Sequence, residues 1–222
     1  MSAVGSKVYL LFETVQQRAV VGVYMSSKTL LRIFCLSGWG KLPDAIYWPQ
    51  LIPFLESQGH VVIRATEPAS DGDITRHVAN LDALVKKHGG LGRDTAFIGQ
   101  SIGSQIIMRY LASREEYAGQ VKAWVGLGAW HRVNREMPGI EPWCQTLSED
   151  QQKKLLDICP NILAMMSTDD EIVNLGEEQA ADWRARIPWA KLHVASNRGH
   201  YIVPELTEEE LTTISNCLSN EL

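Results

Sequence analysis

Gly99, Gln100, Ser101, Ile102 and Gly103 match the string GxSxG, with an apolar run at 96–99 before it and a helical pattern over 102–112 after it. That context points to nucleophilic chemistry. Two glycines without a Cβ let strand and helix approach closely, so the serine between them can occupy a strained turn that lifts its hydroxyl above a sheet. Such a hydroxyl could attack a carbonyl carbon. The competing reading is a glycine-rich strand–helix turn with an idle serine.

A serine hydroxyl is a poor nucleophile near neutral pH, so a base must take its proton, and neutral imidazole has a suitable pKa. Six histidines compete. In hydrolases with this elbow the chain order is Ser, then Asp or Glu, then His, which removes His60, His77 and His88. His131 lies beyond the apolar run 123–127 and His193 inside the run 192–195, whereas His200 follows the polar stretch Ser196, Asn197, Arg198, Gly199. His200 is therefore the expected base. The acid should follow the run 162–166, where the chain reads Ser167, Thr168, Asp169, Asp170, Glu171, Ile172, Val173. Asp170 is the expected partner of the imidazole, with Val173 packing beneath it and Asp169 bonding the turn backbone. Alternatively, the three acids form a solvated turn that caps a helix starting near Glu177.

Acyl transfer also needs donors for the oxyanion, supplied by the amide after the nucleophile and one from a loop after an early strand. Ile102 provides the first, and Trp39, in Ser37, Gly38, Trp39, Gly40, is the candidate for the second. A plain turn there is the alternative. Trp130, Trp143 and Tyr201 are the expected pocket-lining aromatics. The irregular connection 128–155, with Trp130, Met137, Pro138, Pro142 and Trp143, is long enough to form a small lid or pocket wall, or else a surface excursion packed by its own aromatics.

These residues must be positioned by regular elements, and from residue 30 onward short apolar runs alternate with longer helical patterns. Strands are predicted at 30–36, 61–64, 96–99, 123–127, 162–166 and 192–195, and helices at 47–58, 74–88, 102–112, 149–158, 177–186 and 208–218. Alternation of this kind predicts a mostly parallel α/β sheet with helices on both faces. Thr207 followed by Glu210 predicts a capping box on the last helix. Residues 8–15 and 19–25 read as an edge β-hairpin in an N-terminal extension, 1–28, ahead of the main domain, 29–222.

The chain has 222 residues, 45% of them hydrophobic, and a net charge of −5. Mild acidity without a Lys/Arg stripe argues against nucleic acid or an anionic membrane as the main partner, leaving a small ester, amide or short peptide. No metal or cofactor is expected. The four cysteines are far apart, without metal or redox spacing, and read as the free thiols of a cytoplasmic protein.

From Leu36 to its C-terminus the chain resembles the small serine hydrolases named after a retinoblastoma-binding protein. The likeness is carried by Gly38 to Gly40, by Trp48 and Pro49 through Gly59, by the elbow leading into Met108, Arg109 and Tyr110, by Cys159, Pro160, Ser167 to Asp170, and by Gly199, His200. It implies the α/β-hydrolase fold, hydrolysis of small esters, amides or short peptides, and Ser101, Asp170 and His200 as the triad. Ser37 and Gln100 stand where the wider fold often has His, and Asn174 where a proline is common. No LxCxE string occurs, so a retinoblastoma partner is not carried over. A catalytically silent binding protein on the same fold, or an acyltransferase or thioesterase on the same triad, are the alternative readings.

Overall fold

The four inner strands of the sheet are short and mostly apolar because they are covered on both faces, with alternate side chains going to opposite layers, while the two edge strands are partly exposed. In the computed structural model, which describes residues 29–114, 120–131, 133, 138–173 and 176–220, the strands are β1 (Arg32–Leu36), β2 (Val61–Arg64), β3 (Thr95–Gln100), β4 (Ala123–Leu127), β5 (Ile162–Ser167) and β6 (Lys191–Ala195). The six form one parallel sheet in the order β2-β1-β3-β4-β5-β6. Six α-helices connect and flank them: α1 (Trp48–Ser57), α2 (Ile74–Lys87), α3 (Ile102–Ala112), α4 (Glu149–Ile158), α5 (Gly176–Arg186) and α6 (Glu208–Ser219). The predicted hairpin at 8–25 lies outside the described residues.

Two apolar layers follow from the alternation. Phe34 and Leu36 of β1 point into a core with residues of α2, α3, α4 and α5, while Ile33 and Cys35 point into a second core with residues of α1 and α6. Cys35, Cys159 and Cys217 are buried and all four thiols are free. Side-chain hydrogen bonds cap the starts of α2, α4 and α6. Ser148 with Gln151, and Thr207 with Glu210, form capping boxes at α4 and α6.

The chain leaves β1 for β2 on one side and then returns past β1 to β3 on the other. A crevice opens where the order reverses. Loops after β1 and β3 diverge there above the carboxyl ends of the strands, which is where open α/β sheets bind ligands. Those loops carry Gly38, Trp39 and Ser101. No described helix is long and apolar enough to cross a membrane.

Candidate active site

Ser101 occupies the turn between β3 and α3 with φ 52° and ψ −118°, a left-handed conformation for a residue with a Cβ. Strain at such a point persists only when its surroundings over-determine it. The two glycines show how. A Cβ on Gly99 would lie 2.6 Å from the Ser104 amide nitrogen, and one on Gly103 would lie 2.5 Å from the Leu36 carbonyl oxygen. Helix α3 thus sits against both its own strand and the end of β1. Ser104 reinforces the turn by donating its hydroxyl to the Gly99 carbonyl at 2.7 Å.

His200 lies beyond β6 and reaches back across the sheet, so that its Nε2 is 2.6 Å from Ser101 Oγ and its Nδ1 is 2.6 Å from Asp170 Oδ2. Hydroxyl, imidazole and carboxylate form one row. Asp170 is turned inward by its own backbone: Oδ1 accepts from the Ile172 and Val173 amides at 2.9 and 3.1 Å, which leaves Oδ2 for the ring. Both Asp170 and His200 are only 5% exposed. Asp169 points elsewhere. Its carboxylate accepts from the Ser167 hydroxyl and from the Arg198 and Gly199 amides, and these bonds, the hydroxyl first, hold its pKa below the usual carboxylate range.

The loop that carries His200 is anchored at several points. The Arg198 guanidinium donates from Nε and Nη2 to the two Glu210 oxygens at 2.9 and 2.8 Å, and Glu210 also closes the α6 capping box. Gln100 Nε2 donates to the His200 carbonyl at 3.1 Å. Gly128 permits close passage, since a Cβ there would lie 2.8 Å from the same carbonyl. Only the polarity of the loop, not these anchors, was legible from sequence. Arg198 two residues before His200, and Glu210 at the third helical position of α6, were the available signals.

The aromatics expected around the pocket are distributed differently. Trp130 directs its indole Nε1–H at Ser101 Oγ, 3.4 Å away, while its carbonyl accepts from Gln105 Nε2. Gln105 Oε1 in turn accepts from Arg109 at 2.9 Å. Trp143 and Tyr201 do not line the cavity beside Ser101. Trp143 is drawn away because its indole donates to the Asp71 carbonyl at 3.0 Å and its ring packs by His77 and beneath Arg109. Tyr201, at φ 53°, turns its ring into the core under α1 and α6. The described part of 128–155 is tied down by Arg109, which donates to the Trp143 and Gln145 carbonyls at 2.8 and 2.9 Å.

A cavity of about 370 Å³ opens on Ser101 and His200, with Gly38, Trp39 and Gln100 in its wall and Lys41, Leu42, Ala45, Ile46, Ile172 and Ile202 around it. Ile102 is the first residue of α3, where an amide has no partner within the helix. Trp39 lines the same space. Among the described residues no cluster of three or more His, Cys, Asp or Glu side chains could hold a metal ion.

Of the histidines after Ser101, His193 is half-buried on β6, and His131 is buried with its ring 4.4 Å from that of Trp183. Desolvation above all, then the nearby Arg186, lowers the His131 pKa from 6.5 to about 3. The unfolded chain therefore takes up this proton first. Stability should be insensitive to this residue above pH 6.5 and fall by about 1.4 kcal/mol per unit between there and pH 3. Urea unfolding at several pH values should show that slope reduced in His131→Phe. An unchanged slope would contradict a neutral buried ring.

Comparison with known proteins gives no matching family model and no matching curated protein. Solved structures do match. The ydeN gene product of B. subtilis is similar over 85% of this chain and 99% of its own, with 15% identity and a TM-score of 0.71. A carboxylesterase from the ammonia-oxidizing thaumarchaeon Nitrososphaera gargenis matches with 14% identity over 87% of this chain and 92% of its own, TM-score 0.62. A monoacylglycerol lipase from Paleococcus ferrophilus matches with 14% identity over 86% and 95%, TM-score 0.61. The mouse alpha/beta hydrolase domain-containing protein 10 shares the architecture as well. The narrower likeness to the family named after a retinoblastoma-binding protein is not shown by these matches. Six parallel strands in this order, flanked by helices and matched by these structures, give the chain the α/β-hydrolase fold.

Proposed function

We propose that the protein is a serine hydrolase that cleaves small esters, amides or short peptides through an acyl-enzyme on Ser101, His200 and Asp170. The observation that carries this reading is the unbroken row from Ser101 Oγ through both ring nitrogens of His200 to Asp170 Oδ2, each link 2.6 Å. Esterase and lipase neighbours on the same fold support it.

In this mechanism Ser101 Oγ attacks the substrate carbonyl carbon as His200 Nε2 takes the hydroxyl proton. Asp170 stabilises the imidazolium and keeps Nδ1 protonated. The tetrahedral oxyanion is received by the amides of Ile102 and Trp39, each donor contributing roughly 3 kcal/mol toward the barrier. Collapse breaks the bond to the leaving group, which takes the proton from His200, and water then repeats the sequence in reverse to release the acid. The resemblance to the retinoblastoma-binding-protein hydrolases, and a cytoplasmic setting suited to four free thiols, fit the same reading.

Acid quench during turnover of p-nitrophenyl acetate tests it: the peptide containing Ser101 should carry an acetyl group. Turnover with that peptide unmodified, or no turnover by folded protein, contradicts the proposal.

Trp130 serves here as a positioning residue. Its indole N–H, held by the Gln105 bond to its carbonyl, occupies one lone pair of the Ser101 oxygen so that the hydroxyl hydrogen faces His200. Trp130→Phe keeps most of the ring and removes the donor. Its kcat should fall about two- to tenfold with KM little changed, the size of one hydrogen bond. A change confined to KM would assign Trp130 to substrate binding instead.

A further inference from the structure

The cavity beside Ser101 differs in character from the row of polar groups at its base. Beside Ser37, Gly38 and Gln100 near the row, its apolar lining is Trp39, Leu42, Ala45, Ile46, Ile172 and Ile202, and Ile202 is 57% exposed. The one formally charged side chain among its described lining residues, apart from an imidazole that can gain a proton, is the exposed Lys41, and no carboxylate lines it. An α-ammonium group entering this space would meet a cation and no counterion. An uncharged hydrocarbon arm would instead bury its surface against six apolar side chains.

Ile46 is the unusual member of that wall. Its φ is 54°, a left-handed conformation that a β-branched side chain adopts only under constraint. Non-glycine residues held this way cluster at ligand-contacting positions. A backbone at this φ is easier for glycine than for isoleucine, so the side chain, not the backbone, accounts for the residue type. Isoleucine supplies a branched side chain that packs against the core around Tyr47 and α1 and also lines the cavity, a wall residue backed by that core immediately before the Tyr47 cap.

We propose, on the basis of the hydrolase reading above, that this cavity takes the uncharged apolar arm of an ester, that it disfavours α-amino esters and peptide N-termini, and that Ile46 sets the length of arm accepted. The cavity lies toward the lower end of the roughly 300–1,000 Å³ typical of ligand pockets, which suits a short to medium chain. Each methylene that enters contributes about three- to fourfold in kcat/KM until the wall at Ile46 is reached. The chemistry recognised is the hydrocarbon arm itself, which could be carried by the acyl or the alcohol half of the ester.

The test measures kcat/KM for p-nitrophenyl acetate, butyrate, hexanoate, octanoate and decanoate, and for acetate esters of the corresponding alcohols. One of the two series should rise and then fall, and the series that does so identifies which half occupies the cavity. Ile46→Gly, which relieves the strained φ but gives up packing against the α1 core, should keep the parent's circular dichroism spectrum and shift the optimum to a longer chain, whereas Ile46→Val should leave the optimum in place. A purely structural role for Ile46 would change melting temperature and not chain-length preference. For charge, p-nitrophenyl 4-methylpentanoate should exceed p-nitrophenyl leucinate, which differs only by its α-ammonium, by tenfold or more at a pH where the amine is charged. Lys41→Glu should narrow that ratio severalfold. Flat profiles in both series, or preference for the leucinate, would overturn the inference while acetate turnover abolished by Ser101→Ala left the hydrolase reading intact. Absence of any Ser101-dependent turnover would remove both.

Discussion

Ser101→Ala should lose about a millionfold in turnover while keeping its fold, as should His200→Ala, because in the proposed mechanism nucleophile and base act as one unit and neither substitutes for the other. A millionfold corresponds to about 8 kcal/mol of barrier. Folding should survive because the packing that defines the elbow does not involve the hydroxyl. Gly99 and Gly103 allow the close approach of α3, and the Ser101 amide donates to the Leu127 carbonyl at 2.9 Å. Alanine at φ 52° bears a strain comparable to that of serine. Circular dichroism and the melting curve should match those of the parent, and turnover of an activated ester should drop to the background left by the oxyanion donors. A loss of less than a hundredfold would mean that another group performs the attack.

Asp170→Asn should cost about ten-thousandfold, and Asp169→Asn less than tenfold. The contrast follows from hydrogen-bond polarity. At position 170 one side-chain oxygen is committed to the Ile172 and Val173 amides, so an asparagine would keep its oxygen there and turn its NH₂ toward His200 Nδ1. That nitrogen would then have to accept. The ring proton would move to Nε2, where it faces the Ser101 oxygen and can no longer remove its proton. At position 169 the partners are the Ser167 hydroxyl and two backbone amides, all of which an asparagine oxygen can still satisfy. The two variants should therefore differ about a thousandfold in kcat. If Asp169→Asn were the crippling change, the carboxylate would have been assigned to the wrong neighbour.

Much of the scaffold was legible because its elements are periodic and bounded. The six apolar runs became six strands, with shifts of one or two residues where ends such as Leu30 and Leu31 fall outside β1. Thr207 and Glu210 formed the capping box that their spacing predicts. Ser101 was legible for the same reason: glycine on both sides between a strand and a helix leaves few alternatives to a tight elbow. The cavity was not legible. Its walls come from the aperiodic segment after β1, from Ile172 in the acidic turn and from Ile202, and no sequence spacing brings these together.

Aromatics misled for a related reason. Trp130, Trp143 and Tyr201 are alike in sequence as large residues near the expected site, but ring direction depends on local backbone and on where each polar edge finds a partner. Trp143 finds the Asp71 carbonyl, and Tyr201 turns inward through a left-handed backbone. Trp130 alone of the three reaches Ser101. The charged scaffolding was also hidden, since Arg198 and Glu210 look like ordinary surface residues until α6 folds back against the His200 loop.

The central claim is that the Ser101 oxygen is an activated nucleophile, and its most direct test is intact-mass measurement after treatment with a fluorophosphonate at neutral pH. The parent protein should gain a single phosphonyl adduct, mapped to the peptide around Ser101, and Ser101→Ala should gain none. A folded parent that stays unmodified, or an alanine variant labelled as readily as the parent, would contradict the account.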